Sequence, residues 1–228
     1  MRCQQPVSGI LNGLDTAKWN PKSDKNIHQT FSKKNLDEGK ADNKQHLRAL
    51  LSLKQNEIEP IFSFVGRLSD QKGIDLLLEI LPKLLDSGYQ AAILGQGEKR
   101  YQDLLIKVAQ AHKGCLAVCN DFNEELGHQI YAGSDFFLMP SKFEPFGIVF
   151  LESMARGKIT IASNTQGARE LIQNNEDGFI FEIGNYMQLR ELLNKTKGKK
   201  LDNIKKQSIT SAKKFKVSNI IDKWEELF

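Results

Sequence analysis

The chain has 228 residues, 40% of them hydrophobic, and a formal net charge of +4, enough apolar material for a sizeable core in one large domain or two small ones. It contains no run of about 18 apolar residues and no charged segment leading into an apolar one, so neither a membrane span nor a secretory signal is indicated, and a soluble, cytoplasmic chain is expected. Charge is uneven: Lys195 to Lys216 holds nine lysines against the single acid Asp202, a local +8 that leaves −4 for the remainder. That stretch has no arginine and no interleaving of aromatic residues, so it reads as a solvated helix face; no nucleic-acid partner is expected.

In chain order, Gly9 to Asp15 is a short apolar segment broken by turn formers, and Trp19-Asn20-Pro21 extends the loop. After a Lys-, Asn- and Gln-rich stretch from Lys22 to Lys44, a helix is expected from near Asp42 to about Leu53, with Leu47, Leu50, Leu51 and Leu53 as its apolar side. From Pro60 the pattern alternates. Strands are predicted at Ile61 to Val65, Gln90 to Leu94, Leu116 to Cys119, Phe136 to Met139, Lys158 to Ala162 and Gly178 to Phe181. Helices are predicted between them at Ile74 to Leu85, Glu98 to His112, Asn123 to Ala132, Ile148 to Arg156 and Gly167 to Ile172. The expected fold is therefore α/β, a doubly wound, mostly parallel, Rossmann-like sheet, with ligands at the carboxyl ends of its strands. Tyr186 to Thr196, Leu201 to Phe215 and Val217 to Phe228 read as closing helices.

Cys3, Cys115 and Cys119 make an odd count. Cys115 and Cys119 on one strand would lie about 13 Å apart, too far for a disulfide or a shared metal. They are expected to be packed thiols of a reducing compartment.

Three strand-end loops carry candidate chemistry. Gly66-Arg67-Leu68-Ser69-Asp70-Gln71-Lys72-Gly73 sets two cations five positions apart before a helix start, a set suited to a diphosphate; the bland alternative is a solvated loop with Arg67 paired to Asp70. Gly95-Gln96-Gly97 lacks the third glycine of a dinucleotide fingerprint and fits a tight turn that lets the backbone approach a ribose or base. Pro140-Ser141-Lys142-Phe143-Glu144-Pro145-Phe146-Gly147 follows the central strand and places Glu144 in a loop, eight positions before Glu152 in an apolar helix. The N–H groups around Gly147 and Ile148 open that helix and attract an anion. The bland readings are Glu144 as an exposed loop acid and Glu152 as a helix-surface residue. His128 reads as a packed helical histidine.

Glu144 and Glu152, set in Pro-Ser-Lys-Phe-Glu-Pro-Phe-Gly, form a pattern that resembles the donor-site motif of retaining nucleotide-sugar glycosyltransferases built from two Rossmann-like domains. Gly9 to Pro21, Arg67 to Gly73 and Pro140 to Gly147 are similar to the matching segments of bacterial glycogen synthases and plant starch synthases. The resemblance covers nearly the whole chain; one departure is Gln166, where that family usually has a glycine after Thr165.

The resemblance implies that the chain is the C-terminal half of such an enzyme: a connecting segment and first helix over 1–58, a nucleotide-sugar-binding core over 59–185, and helices over 186–228 that pack on the core and toward an N-terminal domain. It implies a hexosyltransferase passing glucose from ADP-glucose to an α-1,4-glucan held by that domain, with no metal and no cofactor. Arg67 and Lys72 would bind the diphosphate, Glu144 the glucose hydroxyls, Glu152 the ribose or sugar, and the N–H groups of Gly147, Ile148 and Val149 the phosphates. Phe122 would stack on adenine, with core filler as its bland alternative, and Gly66, Gly95, Gly97, Phe146 and Thr165 complete the substrate-binding set. A transferase with another acceptor and a non-catalytic nucleotide-binding module stand as alternatives.

Overall fold

A computed structural model describes residues 9–55, 59–121, 123–196 and 201–225. Six strands form one sheet: β1 (Ile61–Val65), β2 (Gln90–Leu94), β3 (Leu116–Cys119), β4 (Phe136–Met139), β5 (Ile159–Ser163) and β6 (Gly178–Phe181). Their order is β3-β2-β1-β4-β5-β6, and every neighbouring pair is parallel. Short apolar runs such as Phe136–Met139 form these strands because both faces are covered. Ile61, Ala92 and Leu94 meet Leu47 and Ile130 on one side. Phe62, Phe64, Ala91 and Ile93 join Leu77, Leu81 and Leu84 on the other.

The covering helices are α1 (Leu36–Leu50), α2 (Ile74–Asp86), α3 (Lys99–Ala111), α4 (Glu124–Gly133), α5 (Ile148–Ala155), α6 (Gln166–Leu171), α7 (Tyr186–Thr196), α8 (Asp202–Lys214) and α9 (Val217–Glu225). Most bounds fall within one or two residues of the sequence expectation. The exception is α1, expected from Asp42 to Leu53. It begins two turns earlier because Leu36, Gly39, Lys40 and Asn43 are buried. A Cβ on Gly39 would lie 2.3 Å from Phe31 Cβ, so a glycine in mid-helix admits that ring. The helix stops at Leu50 because Ser52 takes φ 54° and Leu53 N–H turns back to donate to the Arg48 carbonyl.

Two long-range features frame the sheet. Leu14 N–H donates to the Phe215 carbonyl (2.6 Å) and the Leu14 carbonyl accepts from Val217 N–H (3.2 Å), which ties the connecting segment to the α8–α9 junction. At the amino end of β4, the buried Lys40 and Lys158 donate to the Ser134 carbonyl, and Lys44 pairs with Asp135 at 2.7 Å. Val217, Ile221 and Trp224 of α9 are about half exposed.

Candidate functional site

The strand order reverses between β1 and β4, and the loops that follow these two strands meet at that crevice. Contact is direct. A Cβ on Gly73 would lie 1.8 Å from the Pro140 carbonyl oxygen, and Gly73 has φ +72°, so glycine lets one loop cross the other. Lys142 N–H donates to the Gln71 carbonyl (2.9 Å), and the Gln71 amide donates to the Phe143 carbonyl (3.3 Å). The Lys142 ammonium pairs with Asp70. Asp70 is therefore not the partner of Arg67, and among the described residues Arg67 has no ion pair.

Lys72 and Glu144 are ion-paired, with side chains 19% and 9% exposed. Glu144 is thus a buried partner of the loop cation and not an exposed loop acid. Its backbone carbonyl accepts from Gly167 N–H at 2.9 Å, which brings the start of α6 to the same place. Gly147 caps α5 with φ +85°; a Cβ there would lie 2.5 Å from the Phe150 ring and 3.1 Å from Glu144 Cγ. The glycine is what allows Glu144 to fold under the helix start.

A cleft of about 600 Å³ is walled by Gly66 and Arg67 after β1, Gly95 and Gln96 after β2, and Val149 and Glu152 on α5; neither Lys72 nor Glu144 lines it. Burial pushes the Glu152 carboxyl up to about 7, against smaller opposing effects of Tyr131 and Lys18. The buried Tyr131 hydroxyl is raised well above its ordinary value, by burial first and then by Glu152. The two groups are close enough to perturb each other but are not aligned as a hydrogen bond. Lys18, from the connecting segment, reaches the same cleft and pairs with Glu124.

Behind that wall lies a cluster the sequence reading missed. His128 Nδ1 is 2.6 Å from Asp24, which also takes an ion pair from the buried Arg156. The Trp19 ring stacks on His128 at 4.1 Å. Burial raises the Asp24 carboxyl, but the His128 hydrogen bond and the Arg156 charge outweigh it and hold the group below its usual range. His128 is a packed histidine, as expected; its partners are not legible because Asp24 lies 104 positions away in a loop without pattern.

The remaining expected residues divide. Thr165 is buried, and its hydroxyl has no hydrogen-bond partner among the described residues. Phe146 is half-buried, and its carbonyl would lie 2.1 Å from a Cβ on Gly167. Ile148 is 38% exposed at the start of α5. After β2 the glycines admit the chain's own backbone: a Cβ on Gly95 would meet the Gly66 carbonyl at 1.9 Å, and one on Gly97 the Leu68 carbonyl at 2.1 Å. Leu68 N–H donates to the Gln96 carbonyl there (2.8 Å), and Gly95 lines the cleft. Gly97 does not line the cleft. Phe122 lies outside the described residues. Among the described residues no group of three or more His, Cys, Asp or Glu is placed to hold a metal ion, and no helix is long and apolar enough to cross a membrane.

Comparison with known proteins bears directly on this geometry. The chain is 38% identical over 192 residues to the glycogen synthase of Edwardsiella ictaluri, and the match spans 80% of this chain and 40% of that protein. It is 40% identical over 196 residues to the glycogen synthase of Exiguobacterium sibiricum, over 83% of this chain and 41% of that one. The chain thus spans about 40% of the length of these curated relatives. Its fold matches the catalytic domain of starch synthase IV from Arabidopsis thaliana, bound to ADP and acarbose, with a TM-score of 0.86 and 28% identity, over 96% of this chain and 48% of that one. The family described as Glycosyl transferases group 1 matches residues 51–215, well over half of the sequence, and the chain belongs to that family.

Proposed function

We propose that this chain is the donor-nucleotide half of a glycogen or starch synthase, an enzyme that moves glucose from ADP-glucose to the non-reducing end of an α-1,4-glucan with retained configuration. The observation that carries this reading is the Lys72–Glu144 ion pair between the loops that follow β1 and β4 at the strand-order reversal, with Arg67 on the first of these loops and without an ion pair among the described residues. A cation pair and a carboxylate at one crevice match a diphosphate joined to a sugar. The ADP-bound starch synthase and the glycogen synthase relatives support the choice of donor and acceptor.

On this reading Arg67 and Lys72 hold the diphosphate and stabilise the charge that grows on it as the bond to glucose breaks. The N–H groups of Ile148 and Val149, at the open start of α5, add to the same field. Lys72 exchanges Glu144 for phosphate when the donor arrives, which frees the Glu144 carboxylate for the glucose hydroxyls. Glu152 meets the ribose or sugar, Gly66 and Gly95 line the nucleotide cleft, and Phe146 and Thr165 border the sugar end. Phe122 is proposed to stack on adenine. Residues 1–58 connect to an N-terminal domain that holds the glucan, residues 59–185 bind the donor, and residues 186–228 pack on this core and toward that domain. The assembled enzyme works in the cytoplasm.

Calorimetric titration of the chain with ADP, UDP and ADP-glucose tests the assignment. ADP is expected to bind more tightly than UDP. Arg67→Ala is expected to weaken ADP about 10- to 100-fold, the loss of a charge-assisted pair of hydrogen bonds. Glu144→Ala is expected to weaken ADP-glucose more than ADP. Unchanged ADP affinity in Arg67→Ala, or tighter UDP binding, would overturn the assignment.

A further inference from the structure

A second cavity, of about 250 Å³, lies between the connecting segment and α8. Its floor is apolar, formed by Leu14, Trp19, Pro21, Ala155, Ile209 and Ala212. Lys22, Lys33, Lys34 and Lys213 stand around it, and no Asp or Glu lines it. In the larger cleft, by contrast, Glu124 and Glu152 stand among the lining residues and Lys18 is paired with Glu124. Among the described residues none of these four lysines has a carboxylate within ion-pair distance. Lys33 instead donates to the Thr210 hydroxyl. Its ammonium is held below the ordinary lysine range, by burial first and then by the charge of Lys213.

The geometry points to a binding site for a small amphipathic anion: a phosphorylated or sulfated compound whose ring or chain rests on the apolar floor while its head group neutralises the lysine ring. Four unneutralised ammonium groups around one bowl repel one another, and a dianion converts that repulsion into attraction. A volume of about 250 Å³ suits one ring-sized molecule with its head group. Trp19 lines this cavity and the nucleotide cleft alike, so its ring registers an occupant directly. Nothing in this inference requires the nucleotide cleft to bind a sugar nucleotide.

Phenyl phosphate is a suitable probe, with phosphate and phenol as the two halves of its chemistry. The chain has two tryptophans, so the Trp224→Phe variant leaves Trp19 as the sole reporter. Its emission is followed during titrations carried out with excess ADP, which keeps the probe out of the nucleotide cleft. Phenyl phosphate is expected to give a saturable change, at least about tenfold tighter than either half alone, and weakened about tenfold or more in Lys33→Ala/Lys213→Ala. Lys34→Glu is expected to weaken it further than Lys34→Ala. Equal affinity in the lysine variants, no saturable signal, or progressive displacement by added ADP would each overturn the site. Failure of ADP itself to bind would overturn the donor assignment and leave this result standing.

Discussion

Glu152 is a carboxyl whose charge state depends on the fold. Its folded value of about 7 lies above the ordinary 4.5 because burial disfavours the anion. Between those two values the unfolded chain has released the proton that the folded chain keeps, so stability falls as pH rises through this window and levels off above it. Glu152→Gln is expected to flatten that fall and to be more stable at pH 8 by roughly 1–3 kcal/mol; urea denaturation of both proteins at pH 5 and pH 8 measures it, and equal slopes would refute it. Lys40 acts in a separate window. Burial lowers it from 10.5 to about 7, so its contribution is stability gained as pH rises from 7 toward 10.5, common to both proteins. The same residue scale shows what sequence conveys about a site. Arg67, Lys72 and Glu144 stand out in the sequence because each lies in a polar loop that directly follows an apolar run, the first two only five positions apart. The Asp24–His128–Arg156 cluster was not, because its members join across 104 and 132 positions and obey no local spacing.

At the scale of elements, the loops after β1 and β4 behave as one piece. Lys142 and Asp70 are each about half exposed, so their ion pair contributes little to stability. Its consequence is positional: it holds the loop bearing Lys72 against the loop bearing Glu144. Lys142→Ala is expected to leave the melting temperature nearly unchanged and to weaken ADP-glucose about three- to tenfold. Lys142→Arg should restore it, and Asp70→Asn added to Lys142→Ala should cost nothing more, as calorimetry on the four proteins would show; additive losses would argue against the strap. The strands themselves were read from sequence within a residue because central parallel strands are apolar on both faces. The start of α1 was not, since Gly39, Lys40 and Asn43 look like solvated residues and find their partners only in the folded structure: Lys40 in the Ser134 carbonyl, and Asn43 in the Gln29 and Gly39 carbonyls.

For the whole molecule, the proposed division of labour predicts binding without turnover. Given ADP-glucose and glycogen, the chain alone is expected to release no ADP above background in a coupled assay, while still binding the nucleotide. Release at a rate comparable to an intact synthase would place the acceptor site on this chain and refute its assignment to an N-terminal domain. Which parts of the fold were legible follows the same division: the sheet and its crossovers are written in short apolar runs, whereas the apolar pattern of α9 does not tell that Ile220 is buried and that Val217, Ile221 and Trp224 stay half exposed. The Leu14 pairing with Phe215 and Val217 reaches furthest at this scale. Because the backbone arrives and departs side by side there, the body between residues 15 and 215 is topologically a cassette. It can be spliced into a surface turn of a carrier protein, or cut in an exposed loop and rejoined through a short bridge across positions 14 and 216, with its sheet order intact.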